Sequence, residues 1–527
     1  MKITYNEKNE LDLPVNRNLE VNIETLNSIF SDWGDFVKKK FVLERENGSL
    51  DIYIIYIDGL TDNEMVERTI TRPLLYEWRD SIYSTGSMST GVKSINQENL
   101  DSVWSPISAF QRIFHHQTEA VDLTEKSTMM DTIGCVLNGD TAIFIDGEEK
   151  ALVLSTKKFP VRAINFPQKE AGLKGPRDSF IENFRTNTAL LRRRIKDPKM
   201  KVKQNYLGQR SRTVYGLMYM EDLVHPSLLA AIEEKLQSFT IDGIFDSGML
   251  VHLLEEKWYS PFPQVQTTER PDKAASAIAE GRVVLVVDNS PEVIILPTTL
   301  NSFFQAADDY YNRFAVATFA RVLRYVAAYI TVLLPGLYIA ITCYYPQVLP
   351  TEFLLAIAGA RSSVTFPIVV EVLLMELLFE LLREAGIRLP GQMGNTIGVV
   401  GGLIVGQAAV EASLVSTIVV IVVALTAIAS FAIPNEEFSS TFRLLKFLFI
   451  LLGAVWGLYG IMLGILVTQI HLASLESFGI PYMMPMVSGS IDDEVEYQDF
   501  VMRKPVFMMK NRPVYTKKGN RIRFRKW

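Results

Sequence analysis

Residues 389–433, LPGQMGNTIGVVGGLIVGQAAVEASLVSTIVVIVVALTAIASFAI, decide the fold of this chain. They hold one ionisable side chain, Glu411, in 45 positions. A run of 18 or more apolar residues is typical of a membrane span, because about 20 helical residues cross the hydrocarbon layer. The stretch has room for two such helices, so it predicts an integral membrane protein.

Four further hydrophobic segments flank this stretch, at residues 325–345, 346–361, 362–386 and 442–470. Arg321 and Arg324 precede the first of them. The tail from Arg503 onward holds ten Lys or Arg and no acidic residue. Lys and Arg are retained on the cytoplasmic side of membrane proteins. We therefore expect the first span to start on the cytoplasmic side and the tail to lie on that side.

The number of crossings follows from the two cytoplasmic ends. Five crossings would leave the basic tail outside. We therefore expect four full spans plus one short or re-entrant segment, which is either the proline-marked 346–361 or the glycine-rich 394–411. Segment 442–470 is expected to be a single final span.

The region before the first span predicts a soluble α/β structure built by duplication. Residues 41–60 alternate apolar and polar side chains around an Asn-Gly turn, and residues 137–156 have the pattern of a β-hairpin. The strand-and-helix pattern recurs at 214–236 and the hairpin pattern at 279–299. We interpret the repeat as two related subdomains.

The fold class expected is an α/β N-terminal cytoplasmic region, an α-helical polytopic membrane domain and a basic cytoplasmic tail. The predicted divisions are a polar N-terminal segment 1–35, subdomain 1 at 36–160, a linking helix region 161–200, subdomain 2 at 201–315, the membrane domain 316–480 and the tail 481–527.

Composition argues against several classes of function. The net charge of −6 gives no general attraction to nucleic acid. We find no phosphate-binding loop, no nucleophile elbow and no zinc motif, so we expect no enzyme, no cofactor and no metal. His115-His116 are expected to be packing or surface residues. Arg192, Arg193 and Arg194 either bind an anion or lipid head group, or form a solvated or interdomain face.

A stripe of residues marks a possible path for solute. Five glycines between 394 and 406 weaken an isolated helix, and small residues offset that cost where helices pack closely. Helical steps of three and four place Thr396, Val400, Leu403, Gln407 and Glu411 on one side. In an assembly, Leu403 would form an apolar gate beside polar rings, and a Glu ring favours cations. The alternative is dense packing, with Gln407 and Glu411 bonded internally.

Polar groups also occur in the span at 362–386. Glu371 and Glu376 are functional candidates because carboxylates inside a membrane cost several kcal/mol unless they are paired or wetted. Glu376, Glu380 and Arg383 share a helical face and are expected to pair with one another. Pro367 precedes this helix and is a candidate kink.

Six strings carry a resemblance to a known family: TNTALLRRRIKDP, RPDKAASAIAEGRVVLVVDNSP, EVLLMELLFELLREAGIRLP, VVGGLIVGQAAVEASLVS, VVALTAIASFAIPN and SFGIPYMMP. With them the chain resembles, over about residues 36–486, the A subunits of the bacterial spore germinant receptors, the GerA family. One departure is Thr365-Phe366-Pro367, where the family usually has a Pro-Phe-Pro turn before the glutamate-bearing helix.

The resemblance implies a place in the spore inner membrane, with the N-terminal region and tail on the spore core side. It implies a transporter-like B subunit and a lipoprotein C subunit as partners. It also implies self-association into a ring that acts as a ligand-gated ion channel, with the helix through Leu403 lining the pore. A non-conducting scaffold that relays the signal is the alternative. A secondary transporter would show repeated membrane halves, whereas the duplication found here lies in the soluble part.

Overall fold

The computed structural model describes residues 13–45, 48–72, 123–158, 170, 174–388, 402, 406–487, 499–513 and 516–524. In these residues the chain forms two α/β units followed by a group of helices and a C-terminal segment.

The first unit is a five-stranded antiparallel sheet with the strand order β1-β2-β4-β5-β3. Its elements are α1 (Leu19–Ile29), β1 (Phe36–Arg45), β2 (Gly48–Ile57), α2 (Asn63–Val66), β3 (Leu123–Lys126), α3 (Met129–Leu137), β4 (Thr141–Ile145) and β5 (Ala151–Leu154). β1 pairs with β2 up to Arg45 and Gly48, and the predicted turn residue Asn47 lies outside the described residues; β4 pairs with β5 as the predicted hairpin.

The second unit repeats this topology, with the strand order β6-β7-β9-β10-β8. Its elements are α4 (Phe184–Arg194), β6 (Met200–Leu207), β7 (Thr213–Met220), α5 (Pro226–Gln237), α6 (Ser247–Leu254), β8 (Gln266–Thr268), α7 (Pro271–Ala279), β9 (Val283–Val287) and β10 (Val293–Leu296). Helices α5 and α6 cover one face of the sheet, and α4 and α7 cover the other. This explains why β9 and β10 are apolar at every position and buried throughout.

The repeat extends to single hydrogen bonds. Asp146 follows β4 and accepts a hydrogen bond at Oδ1 from the backbone N of Leu19, 3.0 Å away at the start of α1. Asp288 follows β9 and accepts one at Oδ1 from the backbone N of Phe184, 3.1 Å away at the start of α4. Each unit thus uses an aspartate to satisfy a free N–H group of its own first helix.

Helices α1 and α4 belong to the units, which corrects two predicted boundaries. Leu19 and Leu26 of α1 are buried in the first core, although residues 1–35 were expected to be a separate polar segment. Leu190 and Leu191 of α4 are buried in the second core, within the predicted linking region 161–200. Both helices bury polar as well as apolar residues, such as Asn22 of α1 and Asn187 of α4, so their polar composition concealed their role.

The helical part begins after the second sheet. Its helices are α8 (Leu300–Phe304), α9 (Asp308–Tyr311), α10 (Phe314–Tyr344), α11 (Thr351–Arg361), α12 (Ile368–Arg388), α13 (Thr417–Phe431) and α14 (Glu436–Ala473); a short hairpin of β11 (Glu476–Ser477) and β12 (Ile480–Pro481) follows. Among the described helices, α10 and α14 are long and apolar enough to cross a membrane. Helix α10 continues through Pro335, which lies in its second half.

Helix α14 is a hairpin, so the prediction of one span at 442–470 is wrong. Gly457 interrupts it with φ 60° and ψ −140°. Fifteen residues of straight helix span about 22 Å, yet a Cβ on Gly464 would lie 3.0 Å from the ring of Phe449. At the other end, the rings of Phe438 and His471 both lie within 6.3 Å of the Phe262 ring, centroid to centroid. Residues 436–456 and 458–473 are therefore two antiparallel limbs.

Candidate functional site

The helical part has two ends, which we call proximal and distal. At the proximal end, next to the second α/β unit, Phe262 and Phe303 share a buried cluster with Phe438 and Leu472 from the two ends of α14. At the distal end the hydroxyl of Tyr344, the last residue of α10, donates to the carbonyl of Val455 at 3.1 Å, beside the reversal of α14. Helix α10 thus runs from proximal to distal, and α14 leaves the proximal end and returns to it.

Glu371 is buried and links three elements. Its Oε1 accepts a hydrogen bond from Nε of Arg361 on α11 at 3.1 Å, and its Oε2 accepts one from the backbone N of Ser416 at 3.0 Å. Ser416 is the N-cap of α13, so the carboxylate lies where a helix N-terminus favours negative charge. Pro367 lies immediately before α12, and its carbonyl accepts from the backbone N of Glu371. Pro367 therefore marks the start of α12 and does not kink it.

Glu376 is buried against α14. Lys446 donates through Nζ to Oε2 of Glu376 at 2.6 Å and to Oε1 of Glu380 at 2.9 Å. Arg443 donates to Oε2 of Glu380 at 3.1 Å. The expected pairing with Arg383 is corrected: its guanidinium lies over the Phe431 ring of α13, 4.9 Å from the centroid, while both glutamates find their cations on α14. These partners lie 63 to 70 residues away in the chain, on the first limb of α14, and helical spacing does not show them.

The structure describes only two residues of the stripe proposed to line a pore, Gln407 and Glu411. Thr396, Val400 and Leu403 lie outside the described residues. Gln407 donates through Nε2 to Oε1 of Glu411 at 2.9 Å, and both side chains are exposed.

The opposite side of this helical segment, residues 406–411, faces α13. Ala409 is buried with Val419 and Val423 of α13, and a Cβ on Gly406 would lie 3.6 Å from Val420. The small residues therefore pack inside the protomer, and the polar pair points away from it.

A buried charge cluster joins α10 to the segment after the helices. Arg321 has no exposed surface and donates through Nε to Oδ2 of Asp309 at 2.9 Å and through Nη1 to Asp499. Arg324 donates to both oxygens of Asp309, at 2.7 and 3.0 Å. Tyr310 donates its hydroxyl to Oδ2 of Asp499 at 2.6 Å. We call these five residues the junction.

The basic tail is bound to the second α/β unit. Thr516 is buried and donates to the carbonyl of Glu280 at 2.9 Å, and Arg512 donates through Nε to the carbonyl of Ala279 at 3.1 Å. Lys517 donates through its backbone N to the carbonyl of Leu223 at 2.9 Å. These contacts dock the tail on the second α/β unit, the unit that precedes the helices in the chain.

Glu280 lines a cavity of about 100 Å³ between α7 and α9, together with Asp272 and Tyr311. Burial raises the pKa of the Glu280 carboxyl, against the opposing effect of Arg282 and Arg523. Burial also raises the pKa of Tyr311 to about 12, with its hydrogen bond to Asp272 acting in the same direction. A titratable group thus lies beneath the docked tail.

Arg192, the first residue of the arginine run, joins the two α/β units. Arg192 is 2% exposed and donates through Nε and Nη2 to the two oxygens of Asp35, both at 2.9 Å. Its guanidinium lies 3.4 Å from the centroid of the Trp33 ring. Arg194 donates to Asp178. The interdomain interpretation of these residues is therefore correct for Arg192, and anion binding by Arg192 is wrong.

Metal binding finds no support in the described ranges, where no group of three or more His, Cys, Asp or Glu has the geometry to hold an ion. His115 and His116 lie outside those ranges. Cys135 and Cys343 are free thiols.

Known proteins resemble this chain over most of its length. Spore germination protein A1 of Bacillus subtilis (strain 168) is 38% identical over 479 residues, 91% of this chain and 92% of that protein. Spore germination protein GerLA of Bacillus cereus is 35% identical over 462 residues, 88% of each chain. A protein of B. subtilis (strain 168) described as uncharacterized membrane protein YfkQ is 35% identical over 509 residues, 97% of this chain and 93% of that one.

Among solved structures, the N-terminal domain of the A subunit of the Bacillus megaterium spore germinant receptor GerK3 is 21% identical, with a TM-score of 0.38 over 54% of this chain and 96% of that one. Residues 24–515 match the family described as Bacillus/Clostridium GerA spore germination protein. The chain belongs to the GerA family of spore germination proteins.

Proposed function

We propose that this chain is the membrane subunit of a nutrient germinant receptor that triggers spore germination, and that copies of it form a ring around a ligand-gated ion channel. The helix at 394–411 lines the pore. Family membership supports the receptor role. The observation that carries the channel is the outward-facing pair of Gln407 and Glu411, opposite the small residues that pack on α13. A carboxylate facing lipid costs several kcal/mol, and facing a wet path between copies removes that cost.

The orientation of the helices in the membrane follows from the positive charge at their proximal end. We assign the proximal end, with Arg321, Arg324 and the basic tail, to the spore core side of the inner membrane. Helix α12 runs back toward this end, since Arg383 near its C-terminus lies over Phe431 at the end of α13. Six crossings, in place of the four full spans expected from the sequence, fit these directions: α10, α12, the segment through 394–411, α13 and the two limbs of α14. The short α11 stays at the distal end.

Gating requires that the germinant bind one state better than the other. We assign germinant binding to a transporter-like B subunit and a further contact to a lipoprotein C subunit, as in the family. Moving a channel from mostly closed to mostly open takes a differential affinity of a few kcal/mol. The junction is suited to relay the change between the closed and open states. It joins Arg321 of α10 to Asp309, which precedes α10 in the chain, and to Asp499, which follows the helices.

A non-conducting scaffold is the second candidate, and one observation favours it. The hydrogen bond from Gln407 to Glu411 satisfies part of the polar pair inside its own helix. The two functions differ in ion flux. With the receptor complex reconstituted in vesicles, a channel passes K⁺ in preference to Cl⁻ when germinant is added, and Glu411→Gln reduces that preference. A scaffold gives no germinant-dependent flux in either protein.

A further inference from the structure

A loop of the second α/β unit holds two aromatic side chains out of the protein. The loop at 255–265 connects α6 to β8, and its tip carries Trp258 and Tyr259. Trp258 is 84% exposed, the largest exposed fraction among the large apolar side chains of the described residues, and Tyr259 is 60% exposed. Their rings meet edge to face, with centroids 6.0 Å apart.

The backbone around the two rings is fixed. Gln264 donates through Nε2 to the carbonyl of Lys257 at 2.9 Å, and Ser260 donates its backbone N to the same carbonyl at 3.0 Å. Phe262 is 2% exposed and packs on Phe438 of α14. The exposure of the aromatic pair is therefore built into an anchored loop.

The tip lies at the proximal end of the second limb of α14. The hydroxyl of Ser260 lies 2.9 Å from Nε2 of His471, and Lys257 donates to Ser474 just beyond the limb. The Tyr259 ring is 6.1 Å from the His471 ring. Exposed apolar side chains continue along this limb from that point, at Ile470, Val467, Leu466 and Met462. The exposed apolar face of the limb thus ends where the two aromatic rings begin.

We propose that Trp258 and Tyr259 insert into the headgroup layer of the lipid bilayer and fix the depth of the helices in it. Trp and Tyr are enriched at membrane–water interfaces because each has an apolar ring with a polar group that stays hydrated. A rigid loop that carries both at the end of an apolar helix face matches this position. The inference rests on the proposed membrane placement of α14. A protein partner at this tip is the competing explanation, and the test includes it.

The test uses tryptophan fluorescence of the full-length chain in vesicles of phosphatidylcholine and phosphatidylglycerol. Subtracting the emission of the Trp258→Phe variant from that of the wild-type protein gives the emission of Trp258 alone. Lipids brominated near the carbonyl end of the chains are compared with lipids brominated near the chain ends, and iodide is added as an aqueous quencher. We expect the shallow bromines to cause the larger loss of the Trp258 signal, and iodide to cause little loss.

Trp456 supplies the internal control. It is 52% exposed and lies beside Gly457 at the distal end of the first limb. Emission of wild type minus that of Trp456→Phe reports on the membrane placement itself. If bromolipids quench Trp456 but leave Trp258 open to iodide, the anchor is wrong and the placement of α14 stands. If Trp258 is shielded from both quenchers while Trp456 responds to lipid, the tip is covered by protein and the proposal is again wrong. If neither tryptophan responds to bromolipid, the membrane placement fails.

Discussion

Gly336 and Gly453 bring the backbones of α10 and α14 into direct contact. A Cβ on Gly453 would lie 2.6 Å from the carbonyl oxygen of Gly336, and a Cβ on Gly336 would lie 2.5 Å from the carbonyl oxygen of Phe449. Real side chains do not approach backbone this closely. Small residues allow such contacts between membrane helices, where packing replaces the hydrophobic effect as the driving force.

Gly336→Ala should therefore separate the two helices. We expect a loss of about 1–3 kcal/mol from overpacking, seen as a lower melting temperature and less monodisperse protein in detergent. Gly359→Ala is the matched control, since a Cβ there meets nothing within 4 Å. Equal behaviour of the two variants would contradict the backbone contact.

Arg192 and Asp35 form a buried ion pair across the contact between the α/β units. Removing either partner leaves a buried charge unpaired, so Arg192→Met and Asp35→Asn should each cost about 3–5 kcal/mol, with the double variant costing less than the sum. Chemical unfolding of the full chain in detergent measures this. Arg210 and Asp242 form an exposed pair at 3.7 Å, and the same changes there should cost under about 1 kcal/mol. If the double variant at Arg192 and Asp35 loses as much free energy of unfolding as the two single variants together, the pairing is contradicted.

Lys446 forms salt bridges with both Glu376 and Glu380 between α12 and α14. Lys446→Met leaves the buried Glu376 carboxylate without its cation, while Arg443 still pairs with Glu380, so we expect a loss of folded receptor in the membrane fraction. Adding Glu376→Gln should restore part of it, because one charge is removed. Immunoblots of spore membranes compare the three proteins. If the double variant is no more abundant than Lys446→Met, the pairing does not support the fold.

Glu280 predicts a pH dependence of stability. Its folded pKa is raised by burial, so its contribution is fully present below the pKa of the unfolded carboxyl and is lost as pH rises through the raised value. Glu280→Gln resembles the protonated form. We expect its melting temperature to fall less than that of wild type between about pH 5 and pH 8.

Glu234→Gln, a change at an exposed residue of α5, provides the control for Glu280 and should keep the wild-type slope. The same slope in all three proteins would contradict the assignment to Glu280.

Much of the α/β region could be predicted from local pattern. The pairing of β1 with β2 and of β4 with β5 follows from alternation and turn residues, because hairpins are set by short-range geometry. The roles of α1 and α4 depend on contacts far along the chain, such as that of Asp288 with Phe184. Such contacts leave no local periodicity.

The hairpin of α14 had a signal that the single-span prediction did not use. Residues 442–470 exceed the length that one crossing needs, and glycines occur at 453, 457, 460 and 464. Gly457 provides the positive φ of the reversal, and a Cβ on Gly464 would clash with Leu452 of the first limb. The cations that pair with Glu376 and Glu380 lie on α14, far along the chain, so helix spacing alone gave Arg383 as the wrong partner.

The central claim is that copies of the helix through Leu403 enclose an ion path with an apolar gate. Its most direct test is K⁺ release from spores that carry Leu403→Ala, with Leu425→Ala on an exposed position of α13 as control. We predict that Leu403→Ala spores release K⁺ without nutrient, since a smaller side chain widens and wets the constriction, while control spores wait for germinant. Leu403→Ala spores that hold their K⁺ and respond normally to nutrient would contradict the channel and favour a non-conducting scaffold.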